Sequence, residues 1–411
     1  MSTTASPARP SAADPVGPAD VAAAARVLEG VVLRTPVESS RALSALAGGP
    51  VLLKCENLQR AGSFKIRGAY VRMARLTDEE KARGVVAASA GNHAQGVALA
   101  ARLLGVQATV YMPVGAALPK VAATREYGAT VEHHGASVDE ALDAARRHSE
   151  RTGAVLIHPF DHADVVAGQG TVALEILEQV PDVRTVVVPV GGGGLAAGIV
   201  AALADRPDVQ VIGVQAAGAA AYPASLAAGH PLPAGRLATM ADGIAVGRPG
   251  DVPFAILAGH HVPVRTVSEE DLSRALLLVA ERAKMLVEPS GAAGVAALMA
   301  GLEVATPAVV VLSGGNIDPL VLLRVVRHGL ASAGRYLQMR VRIDDRPGAL
   351  AALLADLAAT GGNVMHVGHV RTALDLGIDE VEIGVQVETR GPDHCARVLE
   401  HLRAAGYRIE A

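Results

Sequence analysis

The chain has 411 residues, half of them hydrophobic and only 19% charged, with a formal net charge of −4. That length accommodates two or three domains with sizeable cores, and the lack of a long basic run argues against nucleic acid as a partner. With no Trp, three Phe and six Tyr, the core must be filled by Ala, Val and Leu, and aromatic platforms for stacked bases are not expected.

Residues 1–19 are rich in Ala, Pro and Ser and lack a basic start followed by an apolar core. They read as a disordered tail, not a signal peptide. From residue 20 to 330 short apolar runs alternate with amphipathic stretches. The runs 85–88, 108–112, 185–190, 209–214 and 308–312 suit strands buried on both faces, and 93–104, 138–151 and 269–284 carry helical spacing. Cys55 and Cys395 match no metal spacing, so a reduced, cytoplasmic protein is expected. The window 186–204 is apolar enough to raise a membrane span, but Pro189 and four consecutive glycines interrupt it. A buried strand feeding a helix explains it better, and no membrane partner is expected.

Such alternation implies an α/β fold of open parallel sheets covered by helices, with ligands at the carboxyl ends of the strands. Near Gly334 the style changes. The run 337–343 alternates like a half-exposed strand, and a turn at 344–348 leads into a helix over 349–359. Gly361-Gly362-Asn363 follows, then strands near 364–370 and 380–388, a helix over 393–405 and a strand at 407–409. This βαββαβ order predicts a ferredoxin-like module over 336–411.

Four segments carry chemistry. Ser63-Phe64-Lys65-Ile66-Arg67-Gly68 places an amine at the start of an amphipathic stretch, where a lone lysine is ordinarily a solvated charge. Ser89-Ala90-Gly91-Asn92-His93 runs from a strand end into a helix, which is either a plain N-cap or a grip for a carboxylate. Gly191 to Gly194 lie between a strand and a helix, where free N–H groups and the helix dipole favour an anion. A dinucleotide site is the rival there, since Gly192-x-Gly194-x-x-Ala197 fits the relaxed fingerprint, but the next strand ends near Gln215 with no carboxylate. Tight packing is the bland alternative. Ser313, in Ser313-Gly314-Gly315-Asn316, offers a neutral hydroxyl. An amine, an Asn-bearing turn, a phosphate cradle and a neutral hydroxyl are together the parts that hold pyridoxal 5′-phosphate as a Schiff base. A hydroxyl at the pyridine nitrogen, in place of a carboxylate, weakens the electron sink and favours loss of a β-substituent over transamination.

Together these segments resemble the fold-type II pyridoxal-phosphate enzymes, and most closely the threonine dehydratases (threonine ammonia-lyases), over roughly residues 20–330. The resemblance implies two open parallel-sheet α/β subdomains, the smaller inserted at about 56–157. The module at 336–411 resembles an ACT domain. By that resemblance Lys65 carries the cofactor and shuttles the Cα proton, Phe64 lies beside it, and Asn92 holds its 3′ oxygen. Gly191, Gly192, Gly193 and Gly194 hold its phosphate, and Ser313 faces the ring nitrogen. Ser89, Asn92 and His93 receive the substrate carboxylate, and Glu288 is a further candidate near the ring. Serine racemases of this fold carry a second serine where this chain has Ala90, so racemisation is not implied. Their divalent-metal carboxylates are missing from the stretch 215–221, so no such metal is expected.

The activity so implied is that of a carbon–nitrogen lyase converting L-threonine to 2-oxobutanoate and ammonia, with side action on L-serine. L-Serine or 3-hydroxyaspartate as principal substrate is the nearest alternative, and a catalytically silent amino-acid sensor the alternative of another class. A homodimer or homotetramer is expected. An effector, isoleucine or valine, is expected at the ACT module, where Gly348, Leu350 and Asn363 are the candidate residues.

Overall fold

Short β-branched runs become strands where helices cover both faces of the sheet they join. The structure, a computed structural model, describes residues 16–371 and 376–410, and falls into one unit ending at Asp318 and another beginning at Pro319. The first unit contains β1 (Val37–Ser39), β2 (Val51–Lys54), β3 (Val85–Ala88), β4 (Ala108–Met112), β5 (Thr130–His133), β6 (Val155–Leu156), β7 (Thr185–Pro189), β8 (Gln210–Ala216), β9 (Val264–Val267) and β10 (Ala308–Val311). The larger sheet has the order β1-β2-β10-β7-β8-β9, parallel except for β1 against β2. The smaller, β5-β4-β3-β6, is wholly parallel. This is the expected pair of α/β subdomains.

Helices close on these sheets with little side chain between them. A methyl group on Gly198 would overlap Val166 O, and one on Gly168 would lie 2.7 Å from Gly68 Cα. The helix Ala163–Gln179 therefore packs almost backbone to backbone against both Gly194–Ala202 and Lys65–Ala74.

Three expectations are corrected. Order begins before residue 20: Val16 is buried and a helix runs over Pro18–Val27, while residues 1–15 of the expected tail lie outside the described residues. The helical stretch 269–284 is an α-helix only over Glu269–Leu278, then widens into a π turn, Val279–Ala283, before Lys284 at φ 59°. The second unit starts earlier than residue 336, because the helix Pro319–Ser332 packs with it.

That second unit holds β11 (Tyr336–Asp344), β12 (Asn363–Val370), β13 (Glu380–Glu388) and β14 (Arg408–Glu410), with helices Ala349–Ala359 and Pro392–Ala404 between them. The sheet is antiparallel in the order β12-β13-β11-β14, the ferredoxin-like arrangement. Met339, Val341, Ile383 and Val385 pack from the sheet against Leu353, Leu357, Val398 and Leu402 of the helices. Among the described residues no helix is long and apolar enough to cross a membrane; the window 186–204 is β7 and the helix Gly194–Ala202.

Candidate active site

Lys65 opens the helix Lys65–Ala74. The turn before it is stitched to the turn after β10: Ser63 bridges Gly314, Phe64 N donates to Ser313 O at 3.2 Å, and Gly315 N donates to Gly62 O at 2.9 Å. Gly62, at φ +68°, needs the left-handed conformation and has Asn316 against the place a side chain would take. Lys65 Nζ donates to Pro159 O at 3.0 Å and sits 5.1 Å from the centre of the Phe64 ring. Burial pushes the amine down to about 8, against the opposing pull of Glu288.

Two residues on, Arg67 anchors the same helix. It is buried and bidentate to Glu56, with both contacts at 2.8 Å, and reaches Glu175 at 2.7 Å. Lys54 Nζ shares Glu175 at 2.6 Å and also donates to Thr35 O and Gln179 Oε1, each at 2.8 Å.

Ser89, Ala90 and Gly91 join β3 to the helix Asn92–Leu104, with Gly91 N donating to Ser89 Oγ at 3.1 Å. Asn92 Nδ2 donates to Glu288 Oε1 at 2.5 Å. Burial, with Asp242 adding to it, raises the Glu288 carboxyl to about 7. The His93 side chain makes a structural contact. Its ring donates from Nε2 to Ile157 O at 2.8 Å, and burial lowers it to about 3, so the imidazole is neutral and tied to the backbone. Any hold of His93 on a carboxylate falls to its main-chain N–H.

Opposite chemistry shapes the glycine run between β7 and the helix Gly194–Ala202. Gly193 has φ +100°, and a methyl there would overlap Tyr222 Oη; one on Gly192 would overlap the Phe160 ring. Tyr222 Oη donates to Gly192 O at 3.1 Å. The result is a bare cradle at a helix N-terminus, which suits a phosphate.

Phe64, Lys65, Ser89, Asn92, His93, Gly191 to Gly194, Glu288 and Ser313 all border one cavity of about 340 Å³. Among the lining residues that sequence reasoning missed, three stand out. Ser290 is buried with no hydrogen-bond partner for its Oγ, although it stands two positions after Glu288. Lys120 and Asp242 form a 2.5 Å ion pair on the cavity wall, and no spacing links residues so far apart in the chain. Among the described residues no group of three or more His, Cys, Asp or Glu stands together as a metal site.

The C-terminal candidates do not converge. Gly348, at φ +91°, caps the helix that follows β11. Asp344 pairs with Glu380 at one end of β13, whereas Asn363 pairs with Glu388 at the other. Eight strand steps, about 26 Å, separate those ends. A single module therefore does not bring Asn363 to Gly348 and Leu350; Asn363 borders a different groove with Arg335, Thr389 and Arg390.

A buried amine, an unpartnered hydroxyl at Ser290, the Ser313 hydroxyl on the cavity wall and a glycine cradle that admits no side chain together fit pyridoxal phosphate. The profile described as pyridoxal-phosphate dependent enzyme matches residues 28–314. The chain belongs to the pyridoxal-phosphate dependent enzymes. Within that family it is 46% identical to the L-threonine ammonia-lyase of Thermotoga maritima, over 95% of this chain and 98% of the relative. The crystal structure of the T.th. threonine deaminase aligns at a TM-score of 0.69 and 42% identity, covering 74% of this chain and 99% of that one. The maize serine racemase aligns at 0.72 and 36% identity, covering 77% and 98%. Members of the family with different reactions thus share this catalytic fold.

Proposed function

We propose that this pyridoxal-phosphate dependent enzyme is a threonine ammonia-lyase, which converts L-threonine to 2-oxobutanoate and ammonia and acts on L-serine as a side reaction. The nearly full-length relationship to a threonine ammonia-lyase carries the reading, and the cavity's residues supply a mechanism for it. When bound, pyridoxal phosphate supplies the electron sink for the pair left at the substrate's Cα.

Lys65 is the covalent anchor and the base. Its lowered pKa lets Nζ shed and take a proton near neutral pH, so it removes the Cα proton once displaced. Gly191 to Gly194 would hold the phosphate by main-chain N–H groups. Phe64 would pack beside the cofactor, and Asn92 would donate to its 3′ oxygen. Ser89 and the N–H groups opening the helix Asn92–Leu104 hold the substrate carboxylate. Ser313 would give the ring nitrogen a neutral partner, which would favour elimination of the β-hydroxyl over transamination. Ala90 has no proton to give to the far face of Cα, so D-serine should not accumulate.

Steady-state rates on L-threonine, L-serine and 3-hydroxyaspartate test this reading. L-Threonine should have the highest kcat/KM of the three, and a clear preference for either of the others would overturn the substrate assignment.

The C-terminal module is proposed to take isoleucine or valine at the Arg346–Leu350 turn, because 2-oxobutanoate feeds isoleucine synthesis and the Gly348-capped helix offers N–H groups to a carboxylate. Regulation requires the effector to bind two states of the enzyme unequally. A chain ending at residue 334 should keep basal activity and lose any response to these amino acids; an unchanged response would place the effector site in the first unit. The assembly is proposed to be a homodimer or homotetramer, which the mass in solution decides.

A further inference from the structure

Asn316 ends the turn after β10 and does not border the cavity, yet it ties that turn to Asn92 and to the turn that precedes Lys65. Its Nδ2 donates to Ala61 O at 2.8 Å and Asn92 Oδ1 at 2.9 Å, with Gln95 Oε1 farther away at 3.4 Å. A side-chain amide has two nearly isosteric ends, so its direction is set only by its partners. A main-chain carbonyl can only accept. The Ala61 bond therefore decides which end of Asn316 is nitrogen. Asn92 must then offer its oxygen to Asn316, which turns its own nitrogen the other way, where it donates to Glu288 Oε1 at 2.5 Å. One hydrogen of Asn92 Nδ2 serves Glu288, and the second is left for an acceptor in the cavity.

We propose that Asn316 is a positioning residue that fixes the direction of the Asn92 amide, so that a donor rather than an acceptor faces the 3′ oxygen of bound pyridoxal phosphate. The proposal rests on the reading that Asn92 contacts that oxygen. A flipped Asn92 would present a carbonyl to an oxygen that carries negative charge, exchanging an attraction for a repulsion. Polarity thus passes from a backbone carbonyl at Ala61, through two amides, to the cofactor.

The test uses the full-length holoenzyme and the pH midpoint of the bound cofactor's visible absorption, beside the melting temperature. Asn316→Leu keeps the size and removes the donor. The midpoint should rise by about half a unit or more, because an anionic oxygen that loses a donor holds the nearby proton more tightly. Asn92→Ala should shift it in the same direction, and the double variant should go no further than Asn92→Ala alone. If Asn316→Leu lowers the melting temperature but leaves the midpoint at the wild-type value while Asn92→Ala moves it, Asn316 is merely structural and the proposal fails. If Asn92→Ala itself leaves the midpoint in place, the reading of Asn92 fails and takes the proposal with it. Asn316→Ala, which also removes the donor, carries the same comparison should the leucine variant not fold.

Discussion

The two walls of the cavity are positioned by different physics. On the side of Lys65, Asn92 and Glu288, direction comes from hydrogen bonds and charge: each polar end has a named partner, and the helix behind it is held by Arg67. On the glycine side, direction comes from exclusion: Tyr222 and Phe160 occupy the space that side chains would need, and the backbone is left bare. A polar wall can be tuned one atom at a time, whereas a steric wall tolerates almost no change. The division suits the ligand, since a phosphate needs only N–H groups at close range while a proton transfer needs an oriented amine.

The largest effect should come from the polar wall. Lys65→Ala removes both the anchor and the base, so turnover should fall by several orders of magnitude and the visible absorption of the holoenzyme should vanish; near wild-type activity would refute the assignment. Next is the charge behind that wall. Arg67→Met leaves Glu56 and Glu175 facing each other without their shared cation, and should cost about 3–5 kcal/mol in denaturant unfolding. A loss below about 1 kcal/mol would mean that the network does not hold the helix. The steric wall is sharpened by Gly193→Ala, which forces a side chain at positive φ against Tyr222. Affinity for pyridoxal phosphate should drop about tenfold to a hundredfold, read by equilibrium titration of the apoenzyme, with little change in the pH profile of the enzyme that remains loaded.

The smallest effect concerns His93. Its folded-state pKa of about 3 lies below the ordinary value of 6.5, so between those limits the unfolded chain binds a proton that the folded chain refuses. Its contribution to stability is complete above pH 6.5 and is lost as the pH falls towards 3. His93→Gln, which can still donate to Ile157 O, should flatten the decline of melting temperature between pH 6.5 and 4. An equal slope in the two proteins would show that the ring already takes up a proton in the folded state.

Much of this was legible in the sequence, for reasons that differ by region. The central strands β3, β4, β7, β8 and β10 are covered on both faces and so read as unbroken apolar runs. Of the strands not foreseen, β1, β5, β6 and β9 lie at sheet edges, where one-sided cover breaks the run, as in the largely exposed Thr130–His133. The glycine run and Lys65 announced themselves by composition beside a strand or helix start. His93 shows that neighbourhood in the chain does not set direction in space, since its ring turns to Ile157 O. Asn363 is set apart from Gly348 within one module for a related reason: a helix returns along the whole sheet between them. Ser290 had only its place two residues after Glu288 to mark it, and Lys120 and Asp242 had no signal, since they meet the cavity only through the tertiary fold.

The cluster around Arg67 also bears on how the chain comes into being. Glu56 lies just upstream of Arg67, but Glu175, the second carboxylate, lies more than a hundred residues downstream. The strand that carries Lys54 waits longer still, because its parallel neighbour is β10 near residue 310. During synthesis the guanidinium must therefore remain hydrated until most of the first unit has left the ribosome, since desolvating it earlier would strand a charge with half its partners. Burial of Arg67 is thus a late event, and the lysine two residues before it gains its fixed place only when nearly all of the catalytic chain has been made.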